Sequence, residues 1–524
     1  MSKGQQATTP AAFSRFLDEY PSRLSLWRAG GDSLYEILGW LNIHPVVEQR
    51  ALAQREGPHV ASMMLSRAHH NQLGICVAWA LRYLPGRAQE VEVRTEDLMA
   101  AFELAGRYWS LKNVMAEVRQ GVRAFEPQGR RLTLAYRGNA LLDATDRLLD
   151  LFDDITSMPE GPPADIAMLR SWMSSQGKGR PWEQVPLLMR EELRYFARSL
   201  LARQDAYLPL SLDVGGFTMG DATSVLTELF ARAWHSAGSI MQGSSDPDVV
   251  LPARPPDTVI GQLASATKVP RDRVTTIIDL VTADLAVCGD PCLTPVIRLP
   301  NGDLVAMSSL ITPGALMRNF TRRIQLDNTR FGEAGRQLGL LGSNTVGATL
   351  RRRLNAEVKV AERVKVFDTS HRQVGDFDVV AFDPSTSQIV VFEVVWNIGP
   401  DGSAEVAESE RRAHDKREQV GRLRADVAGG ALPKWPAGWA VPDDATYRWF
   451  ILTPDVLPAL PLEEDGIVVR SHQMLERFQW TGDRLGDMIR SLLDPPPPPK
   501  GLMATDWITV PYGPFRVRVE WLRA

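Results

Sequence analysis

Gly375-Asp376-Phe377-Asp378-Val379-Val380-Ala381-Phe382 reads as a β-strand, Asp383-Pro384-Ser385-Thr386-Ser387 as a turn, and Gln388-Ile389-Val390-Val391-Phe392-Glu393-Val394-Val395-Trp396 as a second strand. The flanking runs are rich in β-branched and aromatic residues, and the turn residues bend a chain locally. The second run is apolar on both faces, the pattern of a strand covered on both sides. Glu393 is the charged residue in its middle. A buried ionised carboxylate is costly unless it is paired, hydrogen-bonded or bound to metal. Such residues concentrate at functional sites, so Glu393 marks one.

Strand alternation decides what meets Glu393. Asp376, Asp378, Val380 and Phe382 share one face of the first strand, and Ile389, Val391, Glu393 and Val395 share one face of the second. Paired through the turn, the strands bring Asp378 and Glu393 to the same end of a sheet. Two carboxylates, helped by a strand carbonyl, make a hard oxygen site suited to Mg²⁺ or Mn²⁺. A metal there lowers the pKa of a bound water and neutralises charge on a phosphate in the transition state.

Outward from this hairpin the pattern stays α/β. Upstream, Arg318, Arg322, Arg323, Arg330, Arg336, Arg351, Arg352, Arg353, Lys359, Arg363, Lys365 and Arg372 outnumber Asp327, Glu333, Glu357, Glu362 and Asp368. A local basic excess is the electrostatic footprint of a DNA backbone, or else a solvated helix face. Downstream come a long charged helix over 404–427, apolar strands at 447–452 and 466–470, a helix over 472–493 and a stiff spacer of prolines at 495–499. Residues 500–524 form a terminal hairpin extension around Pro511-Tyr512-Gly513-Pro514.

This order of a helix, a strand with Asp, a strand with Glu, a helix and further strands resembles the PD-(D/E)xK nuclease superfamily over about 325–475. The resemblance implies a restriction-endonuclease-like domain at 318–493 with a central mixed sheet. It implies Asp378 and Glu393 as metal ligands, Mg²⁺ or Mn²⁺ as cofactor, and DNA phosphodiester hydrolysis as the activity. The chain departs from the motif at one place, where Val395 stands in the position of the motif lysine. A lysine can move to a neighbouring element in related nucleases. Ala413, Lys416, Val420, Leu423 and Val427 form a helical stripe facing the sheet, so Lys416 is either the displaced catalytic cation or a lysine snorkelling to the edge. Gln419 and His414 are placed to assist it. Asp376 is a second ligand or a residue that opens the strand. Glu357 and Glu333 are candidate helix-borne ligands or surface residues. Trp396 and Asn397 contact substrate, or the Trp packs in the core.

The rest of the chain sets bounds. Its 524 residues exceed one ordinary core, and a net charge of −4 favours no partner class. Residues 1–12 read as a flexible tail and 13–245 as a mainly helical domain. A Gly/Ser/Asp/Pro-rich linker over 243–257 leads to a helix-turn-helix plus hairpin at 257–312, winged-helix-like in outline. That unit reads either as a DNA contact or as a small connecting domain, because Asp272, Asp279 and Asp284 crowd its second helix. The fold class is therefore multi-domain α+β. No stretch is long and apolar enough for a bilayer span, so no membrane partner is expected. Three cysteines suit the reducing cytoplasm, and Cys288-Gly289-Asp290-Pro291-Cys292 reads as a turn. No Walker loop, His-Glu-x-x-His or Gly-x-Ser-x-Gly signature competes. The second expectation is an inactive nuclease fold that binds nucleic acid or a protein partner, itself included. Membership of a bacterial antiviral defence system is an expectation by analogy alone.

Overall fold

The computed structural model describes residues 9–56, 58–85, 90–119, 121, 123–137, 179–203, 208–283, 290–395, 403–453, 463–472, 475, 482–493 and 505–522. The expectations at Trp396, Asn397, Cys288, Asp284 and the 495–499 spacer lie outside these residues.

The N-terminal half is helical. Helices α1 (Pro10–Glu19), α2 (Leu34–Glu56), α3 (Pro58–Tyr83) and α4 (Thr95–Arg119) precede a hairpin of β1 (Arg123–Gln128) and β2 (Arg131–Tyr136). Thr9 starts α1 by accepting the Ala12 N–H at 3.2 Å, with Pro10 in the first helical position, where its missing N–H costs nothing. Helices α5 (Leu187–Arg203), α6 (Met219–Met241), α7 (Pro247–Val250), α8 (Pro256–Thr267) and α9 (Arg271–Val281) follow. A reciprocal capping box of Thr218 and Asp221 opens α6. Then come the hairpin β3 (Val296–Arg298) and β4 (Leu304–Ala306), and helices α10 (Ser308–Ile311), α11 (Leu316–Gln325) and α12 (Asn328–Arg353). Among the described residues no helix is long and apolar enough to cross a membrane.

Three of these segments differ from the sequence expectations. The stretch at 243–257 is packed: Val249, Val250 and Leu251 are buried, and the Val250 carbonyl accepts from Asn42 Nδ2 at 2.9 Å and Ser236 Oγ at 2.6 Å. Residues 10–12, read above as part of a flexible tail, begin α1 instead. Helices α8 and α9 and the β3–β4 hairpin are present, but the helices share a core with α5, α6 and α11, and the hairpin divides between that core (Val296, Leu304) and the N-terminal one (Ile297, Val305). The basic residues heading α9 are engaged: Arg271 pairs with Asp257 at 2.7 Å and Arg273 with Asp221 at 2.9 Å.

The C-terminal part is built on a seven-stranded mixed sheet. Its strands are β5 (Lys359–Phe367), β6 (Gln373–Asp383), β7 (Gln388–Val394), β8 (Leu432–Pro433), β9 (Thr446–Thr453), β10 (Glu463–Glu464) and β11 (Ile467–Ser471), in the order β10-β11-β9-β7-β6-β5-β8. Strands β5, β6 and β7 are antiparallel, and β7, β9 and β11 are parallel. Asp383 Oδ1 accepts the N–H and hydroxyl of Ser385 and so closes the β6–β7 turn. Helix α13 (Ser403–Ala428) connects β7 to the parallel strands and covers one face with Val420 and Leu423; α14 (Leu485–Leu493) helps cover the other. Val380, Ile389, Val391, Phe392 and Ile451 are fully buried, each contributing about 1.5–3 kcal/mol. Strand β5 was not expected; it lies inside the basic run, where Val364 and Val366 alternate with Arg363 and Lys365.

Strands β12 (Thr505–Tyr512) and β13 (Phe515–Leu522) return to the N-terminal half. They complete a four-stranded sheet of order β1-β2-β13-β12, in which β13 runs parallel to β2. Leu132, Leu134, Val517 and Val519 bury one face against Phe13 and Phe16 of α1 and Leu111 and Met115 of α4.

Candidate active site

The β6–β7 ladder runs from Asp383–Gln388 to Val379–Phe392 and stops there. Beyond that point side chains replace the ladder. The Asp378 N–H points at Glu393 Oε1 at 3.4 Å, and the Val394 N–H donates to Asp378 Oδ2 at 2.8 Å. The strands part where the two carboxylates sit. Alternation also fails here, because Phe377 joins the helix-covered core that holds Val380 and Phe382. On β5 the pairs Glu362–Val379 and Val364–Phe377 flank Arg363, whose φ of 55° is left-handed. A non-glycine residue in that region is strained, and such positions cluster at functional sites.

Helix α13 closes the site. Ala413, Val420 and Leu423 are buried on its inner stripe, which carries Lys416 to the sheet. Lys416 Nζ lies 2.7 Å from Glu393 Oε2 and 3.1 Å from Asp378 Oδ2. Glu393 is 2 % exposed. Gly375 permits this approach, since a Cβ there would lie 2.8 Å from Leu423 Cδ1. Gly375→Val is therefore expected to push α13 off the sheet and cost about 1–3 kcal/mol, read as a fall in thermal stability.

Burial raises Glu393 from its ordinary 4.5 to about 8, with the Asp378 charge adding and Lys416 opposing. Burial works to lower Lys416, but Glu393 and Asp378 outweigh it and hold the ammonium above the ordinary lysine range. The two directions conflict, because a protonated Glu393 gives Lys416 less reason to stay charged. Geometry decides between them. Lys416 also has Asp378, so it remains an ammonium, and Glu393 is the group that changes charge. With both carboxylates ionised, the nearly dry cluster carries one excess negative charge.

Two carboxylate oxygens from different strands thus converge on one cation. That donor set fits Mg²⁺ or Mn²⁺ held by two protein carboxylates, with water completing the shell. Among the described residues no group of three or more His, Cys, Asp or Glu side chains is placed to hold a metal.

The other candidates lie apart or alongside. Glu357 sits in an exposed turn before β5, whose Lys359 pairs with Phe382 at the hairpin end, away from Asp378. Glu333 is bound to Arg336 and Gln337, and those bonds hold it down at about 2. His414 pairs with Glu418 at 3.6 Å on the outer side of α13. Asp376 is exposed opposite Lys365, and with Gln419, Arg372, Arg422 and Asp426 it lines a groove of about 480 Å³ beside the cluster. Arg417, which sequence reasoning passed over, is buried and bonds Glu464 at 2.5 Å, tying α13 to the sheet edge.

The basic run is largely consumed inside the molecule. Arg330 pairs with Asp327, Arg336 with Glu333, Arg351 with Glu362 and Arg372 with Asp368. Arg322 and Arg323 are buried. No continuous phosphate track follows from that run alone. No family model, curated protein or solved structure matches the chain.

Proposed function

We propose that residues 359–493 form a divalent-metal-dependent nuclease centre that hydrolyses DNA phosphodiesters, on the plan that the PD-(D/E)xK resemblance implies. The observation that carries this reading is the convergence of Asp378, Glu393 and Lys416 where β6 and β7 part. Asp378 and Glu393 would hold Mg²⁺ or Mn²⁺, which supplies an acidified water and charge neutralisation at the phosphate. Glu393 must be ionised to serve, and Lys416 favours that form. Lys416 reaches the cluster from α13 and supplies the cation that Val395 cannot. Its buried ammonium is positioned to stabilise negative charge that grows on a phosphate. Asp378 is held in place by the Val394 N–H. Asp376, Gln419 and Arg422 line the adjoining groove, where the DNA strand would lie.

The test is a plasmid and linear-DNA assay with Mg²⁺, Mn²⁺ or EDTA. The wild-type protein is expected to nick or cut with metal only, and Asp378→Asn to lose at least about 100-fold. Undiminished cutting by Asp378→Asn would overturn the assignment.

One observation favours a second reading. Lys416 already bridges both carboxylates, so the cluster can stand as a closed ion triad in a nuclease-like fold that binds DNA or a protein without cutting. Equal DNA binding with Mg²⁺ and with EDTA, and no nicking, would establish that reading. A place in a bacterial defence system remains an analogy that either reading allows.

A further inference from the structure

The β1-β2-β13-β12 sheet has one buried face and one open face. The register fixes what the open face carries. Arg516 of β13 lies directly opposite Arg131 of β2, and Arg518 lies opposite Thr133. On the other side Thr509 of β12 faces Arg518, and Trp507 faces Glu520. Arg130, Arg131, Arg516 and Arg518 are all exposed. Trp507 is 37 % exposed, and the Arg518 guanidinium lies 4.2 Å from its ring centroid.

Like charges directly opposite each other on neighbouring strands repel. A sheet built for stability alone would place an acid at one of these positions. The acids on this face are Glu126, which faces Thr133, and Glu520, whose carboxylate accepts the Tyr136 N–H at 2.9 Å. Among the described residues no carboxylate forms an ion pair with Arg131, Arg516 or Arg518. Among the described residues the arginine charge on this face thus has no carboxylate counterpart.

We propose that this open face binds single-stranded nucleic acid, with Arg131, Arg516 and Arg518 on the phosphates and Trp507 stacking on a base. Charge complementarity selects a polyanion. The exposed indole among the arginines selects unpaired bases, because a base in a duplex keeps its face inside the stack. Arginine beside an aromatic ring is a pairing that single-strand grooves use. The surface lies outside residues 359–493 and does not depend on the metal-centre reading.

The experiment titrates full-length protein into a fluorescein-labelled oligo(dT), in EDTA, followed by anisotropy. Arg131→Gln/Arg516→Gln is expected to weaken binding at least about 10-fold and to flatten the salt dependence by one to two phosphate contacts. Trp507→Ala is expected to weaken it about 5- to 150-fold and to abolish the tryptophan quenching that oligo(dT) causes. The arginine double variant is expected to melt at or above the wild-type temperature, since it relieves repulsion. That separates lost binding from lost folding. Unchanged affinity in these variants overturns the proposal. So does equal affinity for duplex DNA with no Trp507→Ala effect, or binding of polyglutamate but not of oligo(dT).

Discussion

Lys416→Met is expected to lose about 3–5 kcal/mol of stability at about pH 9 and at least about 100-fold of metal-dependent cleavage. The ammonium lies within hydrogen-bond distance of Glu393 and of Asp378 and is itself mostly enclosed. Methionine fills similar space but leaves two carboxylates facing each other with no counter-charge. The site can relieve this only by taking up a proton, and Glu393 is the group already biased to do so. The stability defect is therefore expected to shrink as pH falls towards about 5. Urea unfolding at both pH values measures it. An equal defect at both would mean that Lys416 does not answer a carboxylate that changes charge.

Glu393→Gln is expected to abolish cleavage to a similar degree while leaving the metal-free protein as stable as wild type, or more so, at about pH 8. Glu393 has a folded-state pKa raised above its ordinary 4.5 to about 8. The folded state then binds the proton more tightly than the unfolded chain, so this group's contribution falls as pH rises from about 4.5 to about 8. Lys416 is raised as well, and its contribution is lost only in the alkaline range above its unfolded value of 10.5. Glutamine removes the first dependence and keeps the Lys416–Asp378 pair. Mg²⁺ that binds the folded state is expected to raise the melting temperature of wild type and not of Glu393→Gln. An equal Mg²⁺ shift in both proteins would place the ion elsewhere.

The cluster was legible because each member breaks a pattern. Glu393 interrupts an apolar strand, Asp378 is a charge in the strand that the turn folds back beside it, and Lys416 falls on the apolar stripe of a helix. Local chemistry also revealed the β6–β7 turn and the parallel strands β9 and β11. What escaped is set by contacts distant in sequence. Strand β5 hid in a run dominated by charge, although Val364 and Val366 alternate as a half-buried strand should. The break at Phe377 and the left-handed Arg363 depend on where two strands part, which no single strand encodes. The ion pairs of Arg336, Arg351 and Arg372 use acids of the same run, so they decide which of its basic side chains are engaged, which residue counting does not show. Val249, Val250 and Leu251 turned a glycine- and proline-rich stretch into a packed connection.

The parallel pairing of β2 with β13 also sets a schedule for biosynthesis. The bond from Tyr136 to Glu520 spans 384 residues. At typical elongation rates the ribosome takes roughly 20–80 s to deliver the second strand after the first. Through that interval β2 has an unpaired edge, the kind of template on which nascent chains join one another. Strands β6 and β7 and helix α13 are all made inside the same interval. The Asp378–Glu393–Lys416 cluster can therefore assemble before the sheet that joins residues 123–136 to residues 505–522 is closed.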